Sequence, residues 1–312
     1  MHAVVLLAAI SLLSFALVQL APGDFFDQMR MNPRVSASTV EGLRAEYGLD
    51  RSFAVRYALW LRSAIHGEFG ISLAYNTPVG SLLFPRARNT LLLTATSTLL
   101  AWFLAVPIGV WSATNRRHLS RRSSELATST LLTIPELLLF LCMLLFAVRS
   151  GWFPSGGMYS VGSEDSGGFE RLKDLAWHLF LPSLGLALAC LPALIRHVRS
   201  AMIEVLDSPF IRAARSHGIP RPRLLFRFAL PVAANSLISL AGFSVATMLS
   251  SSLLVEVILS WPGLGPLLVE ATLNKDVYVV IGTVMFSAVF LIVGNLVADV
   301  LLFAVDPRIR VE

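Results

Sequence analysis

Six stretches of this chain are each long and apolar enough to cross a bilayer as a helix: Ala3–Ala21, Leu91–Thr114, Leu126–Val148, Leu179–Ile195, Val232–Ile258 and Val279–Val305. A span needs about 20 mostly apolar residues, and it must be helical because hydrocarbon offers no water to satisfy its peptide groups. Composition agrees. Of 312 residues 55% are hydrophobic and 14% charged, where a soluble domain has about a quarter charged. The expected class is all-α, a polytopic membrane protein with six transmembrane helices. The first run lacks a basic leader, exceeds the length of a signal-peptide apolar region and is followed by no clean small-x-small cleavage site, so it reads as a span. Cys142 and Cys190 both lie inside apolar runs and read as small buried hydrophobes.

The net charge of +5 is carried almost wholly by arginine, since Lys173 and Lys275 are the only lysines. The arginines flank apolar runs, which points to membrane topology and away from nucleic acid. Arg116, Arg117, Arg121 and Arg122 follow the second run. Arg196, Arg199, Arg212, Arg215, Arg221, Arg223 and Arg227 lie between the fourth and fifth, and Arg308 and Arg310 follow the sixth. Short positive loops stay in the cytoplasm, so both termini are expected there. The divisions that follow are a first transmembrane helix over 1–21, an extracytoplasmic segment over 22–90, a five-helix core over 91–305 with a cytoplasmic loop at 196–231, and a tail over 306–312. Within 22–90, Ser38 and Glu41 have capping-box spacing, Val40, Leu43 and Tyr47 share a face, and Gly48 can close the helix. A second amphipathic helix places Phe53, Tyr57, Trp60, Leu61 and Ile65 on one side and ends at Gly67. These helices pack on the outer ends of the spans or offer a docking surface.

Enzyme chemistry has little support. Neither lysine follows the glycine pattern of a phosphate-binding loop. The six histidines have no metal-ligand spacing, so no metal site is expected. Gly242–Ala246 falls one residue short of a nucleophile elbow and reads as small residues for helix packing, together with Gly242, Ser244, Ala246 and Ser250 as a set.

The most informative stretch is "SPFIRAARSHGIPRPRLLFRFALP", from Ser208 to Pro231. Asp207 or Ser208 can cap a helix, Pro209 suits its first turn, and Gly218 and Pro220 are placed to stop it. A helix of about nine residues is too short to stand alone in water, so it must pack on something. Ala213 and Ala214 permit close approach, while Arg212 and Arg215 offer charge. A basic loop that only fixes topology would not need this punctuation.

This stretch resembles the cytoplasmic "EAA" loop of binding-protein-dependent ABC importer permeases, with Ala213, Ala214, Gly218, Phe228, Leu230 and Pro231 at the pattern's positions. "FIRAARSHG" is similar to the peptide-importer branch, where Arg212 is the usual residue. Pro209 and Phe210 replace that branch's acid and tyrosine, His217 replaces a lysine, and Ser250–Ser252 stand where glycines are often found. The resemblance covers nearly the whole chain: "LAPGD" (Leu20–Asp24), "GEFGIS", "VEVILSWPGLG" and "NLVADVLLFAVDPRIR" resemble the dipeptide/oligopeptide/nickel importer family. It implies the ABC importer type I permease fold in a bacterial or archaeal inner membrane, with this chain forming half of the pathway. The implied partners are a second permease, identical or not, two cytoplasmic ATP-binding subunits and an extracytoplasmic solute-binding protein. ATP and Mg would be used by the ATPase subunits, with no cofactor on this chain. The implied ATPase-coupling residues are Phe210, Ile211, Arg212, Ala213, Ala214, Arg215 and Gly218. Look-alike permeases carry peptides, nickel chelates, opines and glutathione.

Glu136, beside Pro135 in the third run, is the one clear mid-span acid. Such a carboxylate costs roughly 2.5–3.5 kcal/mol on insertion scales and faces a cavity or a partner. It either lines the substrate pathway or is a buried acid bonded to a neighbouring helix. An ATP-independent carrier or scaffold is the alternative function. A carrier would be expected to show broken helices or mid-span charges in both halves.

Overall fold

The structure, a computed structural model, describes residues 2–20, 23, 25–30, 36–46, 51–115, 126, 128–163 and 167–305. Among these residues everything regular is helical, apart from one isolated antiparallel bridge between Ile71 and Pro78. The helices are α1 (His2–Leu20), α2 (Phe25–Arg30), α3 (Ala37–Glu46), α4 (Phe53–Ile65), α5 (Val79–Thr114), α6 (Glu136–Ser150), α7 (Gly168–Leu206), α8 (Pro209–Ser216), α9 (Leu230–Ile258), α10 (Leu264–Leu273) and α11 (Val277–Val305). Among the described residues five helices are long and apolar enough to cross a membrane: α1, α5, α7, the helix that ends as α9, and α11. The remaining, third run, expected as one helix over Leu126–Val148, is interrupted at Ile134–Pro135. Proline cannot donate to the ladder and clashes with the carbonyl four residues back. Pro135 takes an extended conformation (ψ 135°) and α6 starts after it.

The chain divides into two units. One comprises residues 1–90 and 262–290, the other residues 91–261 and 291–312.

In the first unit, α1 is apolar all round, but only Ser11 and Phe15 are buried; Val4, Leu13 and Leu20 stand exposed. That is the surface of a lipid-facing helix. Phe15 packs edge-on against Phe53 and Tyr57 of α4, and Ser11 shares a hydrogen bond with the Tyr57 hydroxyl at 2.9 Å. The expected inner face of α4 is present, with Trp60 5% exposed, except that Ile65 at the last position is 77% exposed. Gly67 follows at φ +85°, a left-handed conformation that glycine adopts without strain. The helix α3 begins at Ala37, one residue before the expected capping box. The Ser36 carbonyl accepts from Val40 N at 3.2 Å, which leaves Ser38 inside the first turn. Tyr47 and Gly48 lie outside the described residues.

A tight loop at residues 70–78 is held by Asp276. This fully buried carboxylate accepts from Ser72 Oγ and from Ala74 N at 3.1 Å. It also receives the Val279 amide at 3.4 Å, which makes it the N-terminal cap of α11. The Tyr75 hydroxyl in the same loop bonds Glu270 of α10, and that bond, with burial second, pushes its pKa up to about 12. Thr90 and Asn89 of α5 seat the entry to α10: Leu264 N donates to Thr90 Oγ1 and Asn89 Nδ2 to the Pro262 carbonyl, each at 2.8 Å.

The second unit holds the main core, with Leu93, Ala101, Phe140, Leu186, Leu194, Met248 and Trp261 among its buried members. Polar links tie the helices: Trp102 Nε1 donates to Ser244 Oγ at 3.0 Å, and Thr96 pairs with Ser183 at 3.0 Å. In hydrocarbon such bonds and close packing replace the hydrophobic drive between helices. The small-residue reading of the fifth span is met at Gly242, where an added Cβ would lie 2.6 Å from Ala298 Cβ of α11. The approach is reciprocal, since a Cβ on Gly294 would lie 2.6 Å from Val245.

Candidate functional site

The stretch from Ser208 to Gly218 folds as its punctuation requires. Ser208 is extended (φ −67°, ψ 150°) and its hydroxyl accepts from Ile211 N at 3.4 Å. Pro209 occupies the first turn, where its missing N–H is not needed. Gly218 stops the helix at φ +76° with nothing within 4 Å of an added Cβ, so glycine is there for backbone conformation and not for space. The Ala213 carbonyl is doubly held, by Ser216 Oγ and His217 Nδ1, each at 2.8 Å. The result is α8, eight residues long.

One residue anchors it. Ile211 is fully buried in a cluster with Val198, Met202, Leu224 and Ala229, and Ala214 packs half-buried against the same cluster. Burying one such side chain contributes about 1.5–3 kcal/mol, which an eight-residue helix needs. Arg212, Ala213, Arg215, Ser216 and His217 are exposed, and Phe210 is 49% exposed with its ring 6.1 Å from that of Phe228. The seven residues singled out from the sequence are thus brought together, but they divide by face. Ile211 and Ala214 bind the helix to its own chain, whereas Phe210, Arg212, Ala213 and Arg215 remain available to a partner.

Two features beside α8 were not read from the sequence. Residues Leu224–Ala229 form a π-helical turn between a short turn at Arg221–Arg223 and α9. The stretch leading back to the membrane is therefore helical, and the wide turn ends two residues before Pro231, whose ring would clash with the carbonyl one α-turn back. A cleft of about 340 Å³ also opens between the ends of α5 and α7, lined by Ser112, Asn115, Arg199 and Asp207. The basic residues at 116–122 and 308–310 lie outside the described residues.

Glu136 is not in mid-helix, as expected from its place in the run. It is the first residue of α6, half-buried, directly after the break. A helix N-terminus carries about half a positive charge, which lowers the cost of a carboxylate there. A second acid, Glu256 near the C-terminal end of α9, is fully buried, and the sequence reading did not single it out. Among the described residues no cluster of side chains is arranged to hold a metal ion.

Comparison with known proteins places this architecture. A protein-family model described as "Binding-protein-dependent transport system inner membrane component" matches residues 105–311. The oligopeptide transport system permease protein AppB of Bacillus subtilis is 37% identical over 98% of this chain and 95% of its own length. The dipeptide transport system permease protein DppB of Escherichia coli K12 is 33% identical over 96% and 94%. Among solved structures, a chain of the inward-facing MetNI methionine ABC transporter superposes with a TM-score of 0.59 at 19% identity, covering 72% of this chain and 96% of that one. The all-α, polytopic permease fold expected from the sequence is the fold found. The chain belongs to the family of binding-protein-dependent transport system inner membrane components, as a permease subunit of an ABC importer.

Proposed function

We infer that the chain forms half of the translocation pathway of an ATP-driven importer for peptides or a related small solute. It would pair with a second permease, with two cytoplasmic ATP-binding subunits that use ATP and Mg, and with an extracytoplasmic binding protein. Both termini and α8 lie on the cytoplasmic side in this reading. The peptide substrate is supported by the AppB and DppB relatives, which are named as permeases of oligopeptide and dipeptide transport systems.

The observation that carries the reading is the two-faced α8. Ile211 fixes it to the permease, while Arg212, Ala213 and Arg215 face out beside Phe210. Such a helix moves as one body with the chain that holds it and offers a small, charged surface to a socket. ATPase closure and opening would then rock the permease halves through α8, exposing the pathway alternately to each side. Glu136 at the broken third span is the candidate pathway carboxylate, meeting a cationic part of the substrate.

The test is Ala213→Trp in complexes reconstituted with the cognate ATPase and binding protein. Bulk on the outward face leaves the chain's own packing intact. Overpacking a docked surface costs about 1–3 kcal/mol, so ATPase copurification and substrate-stimulated ATP hydrolysis should fall roughly 5- to 150-fold. Full activity at matched permease levels would leave α8 as a topology anchor only.

A further inference from the structure

The short turn at Arg221–Arg223 and the π-helical turn at Leu224–Ala229 have two faces. Leu224 and Ala229 are buried in the cluster that anchors Ile211, and Leu225 and Phe228 pack half-buried against it. Arg223, Phe226 and Arg227 are exposed on the other side, with Pro222 beside them. Their spacing of three and four residues sets them on one helical face. Phe226 is 65% exposed, a large apolar ring left standing between two guanidinium groups. Neither arginine side chain has a hydrogen bond, an ion pair or an aromatic partner among the described residues.

Direction and depth say what covers this face. The Phe210 ring of α8 lies 6.1 Å from that of Phe228, so α8 rests against the inward side of the turn and Phe226 points away from it. A socket that receives α8 does not thereby reach Phe226. The chain is helical without a break from Arg221 to Ile258. From Arg227 to Ile258 it measures about 47 Å at ~1.5 Å per residue, and a bilayer with its headgroups is about 40–45 Å thick. With α9 across the membrane, Arg227 therefore stands at a headgroup layer and Arg223 one turn beyond it. We propose that Arg223, Phe226 and Arg227 form a contact for the headgroups of anionic phospholipids. The two guanidinium groups take phosphate oxygens, for which paired donors suit them. The Phe226 ring enters the boundary between headgroups and acyl chains, as the apolar side of a basic amphipathic helix does. A basic segment next to a span is drawn to an anionic leaflet in the same way.

The competing account is that a protein, the ATPase or the second permease, covers this face. A photocrosslinker in place of the ring, Phe226→p-benzoylphenylalanine, captures whatever lies against it. The assembled transporter is reconstituted in vesicles of equal parts phosphatidylglycerol and phosphatidylcholine, and the adduct is weighed by mass spectrometry. A phospholipid adduct is expected, with phosphatidylglycerol in excess over phosphatidylcholine. Arg223→Ala and Arg227→Ala should each lower that excess roughly fivefold, the effect of withdrawing one cation from an anionic surface. Lysine at either position should keep it. An adduct to a partner subunit in place of lipid, equal capture of the two lipids when both arginines are present, or an excess that survives the loss of both overturns the proposal. If the alanine variants do not assemble, the capture by the chain with both arginines decides. The contact requires no particular role for α8, so its failure leaves the coupling reading standing, and full activity of Ala213→Trp leaves the lipid contact standing.

Discussion

Gly218 and Glu136 show what single positions ask of their side chains. At Gly218 there is open space but a φ of +76°. Gly218→Val should therefore act only through backbone strain, of about 1–3 kcal/mol, distorting the exit from α8. Gly218→Asn, which tolerates the left-handed region, should retain most activity. ATP hydrolysis of reconstituted complexes at equal permease abundance distinguishes the two; equal loss in both variants would show that something other than φ matters. Arg215→Ala should be mild, because an exposed ion pair contributes about 0–1 kcal/mol. Glu136→Gln keeps the shape of the α6 N-terminus and removes its charge. If the carboxylate meets a cationic part of the substrate, uptake of cationic peptides should fall more than uptake of neutral ones; unchanged uptake of both would leave Glu136 a structural acid.

At the scale of elements, Asp276 joins two that the sequence did not connect. Asp276→Ala removes the cap of α11 and strands the buried Ser72 hydroxyl and Ala74 amide. Losing a cap costs about 0.5–2 kcal/mol and an unsatisfied buried donor about 1–3. A fall of roughly 2–4 kcal/mol in stability should follow, read as a lower melting temperature in detergent; an unchanged melt would mean that water replaces the carboxylate. The helix α8 was legible because each of its signals is local: a capping serine, a proline at the first turn and a glycine at the stop. The inner face of α4 was legible for a related reason, since period 3.6 is written in consecutive residues. Asp276 was not legible, because its partners at 72 and 74 are 202–204 positions away and an Asp beside an apolar run reads as a boundary. The break at Pro135 was half-legible. Proline announces a lost hydrogen bond, but whether a helix bends through it or stops is decided by packing. The division of α8 into an inward Ile211 and an outward Ala213 needed the neighbouring helices, for Phe210, Ile211, Ala213 and Ala214 stand on both sides of Arg212 in the sequence and do not state which of them turns inward.

At the scale of the whole molecule, the topology is testable without any partner. Cysteines placed singly at Ser120 and Ser216 should be labelled only from the cytoplasm, and one at Ser163 only from outside; labelling of Ser120 and Ser163 from the same side would remove the alternation on which the six-span arrangement depends. The turn at Leu224–Ala229 carries a consequence at this scale. A π turn is an α turn with one residue more, and each residue of an α-helix advances the azimuth by about 100°. Because the wide turn absorbs that extra residue, deleting it would regularise the turn and leave α9 in phase with α8, whereas a residue inserted in the regular first turns of α9 would swing the rest of the helix by roughly that angle. That insertion would carry Gly242 away from Ala298 and Val245 away from Gly294, although the chain would be longer by only one position. What this turn does is therefore take up one residue without loss of angular phase, keeping the alignment between the face that α8 shows outward and the face that α9 shows to α11.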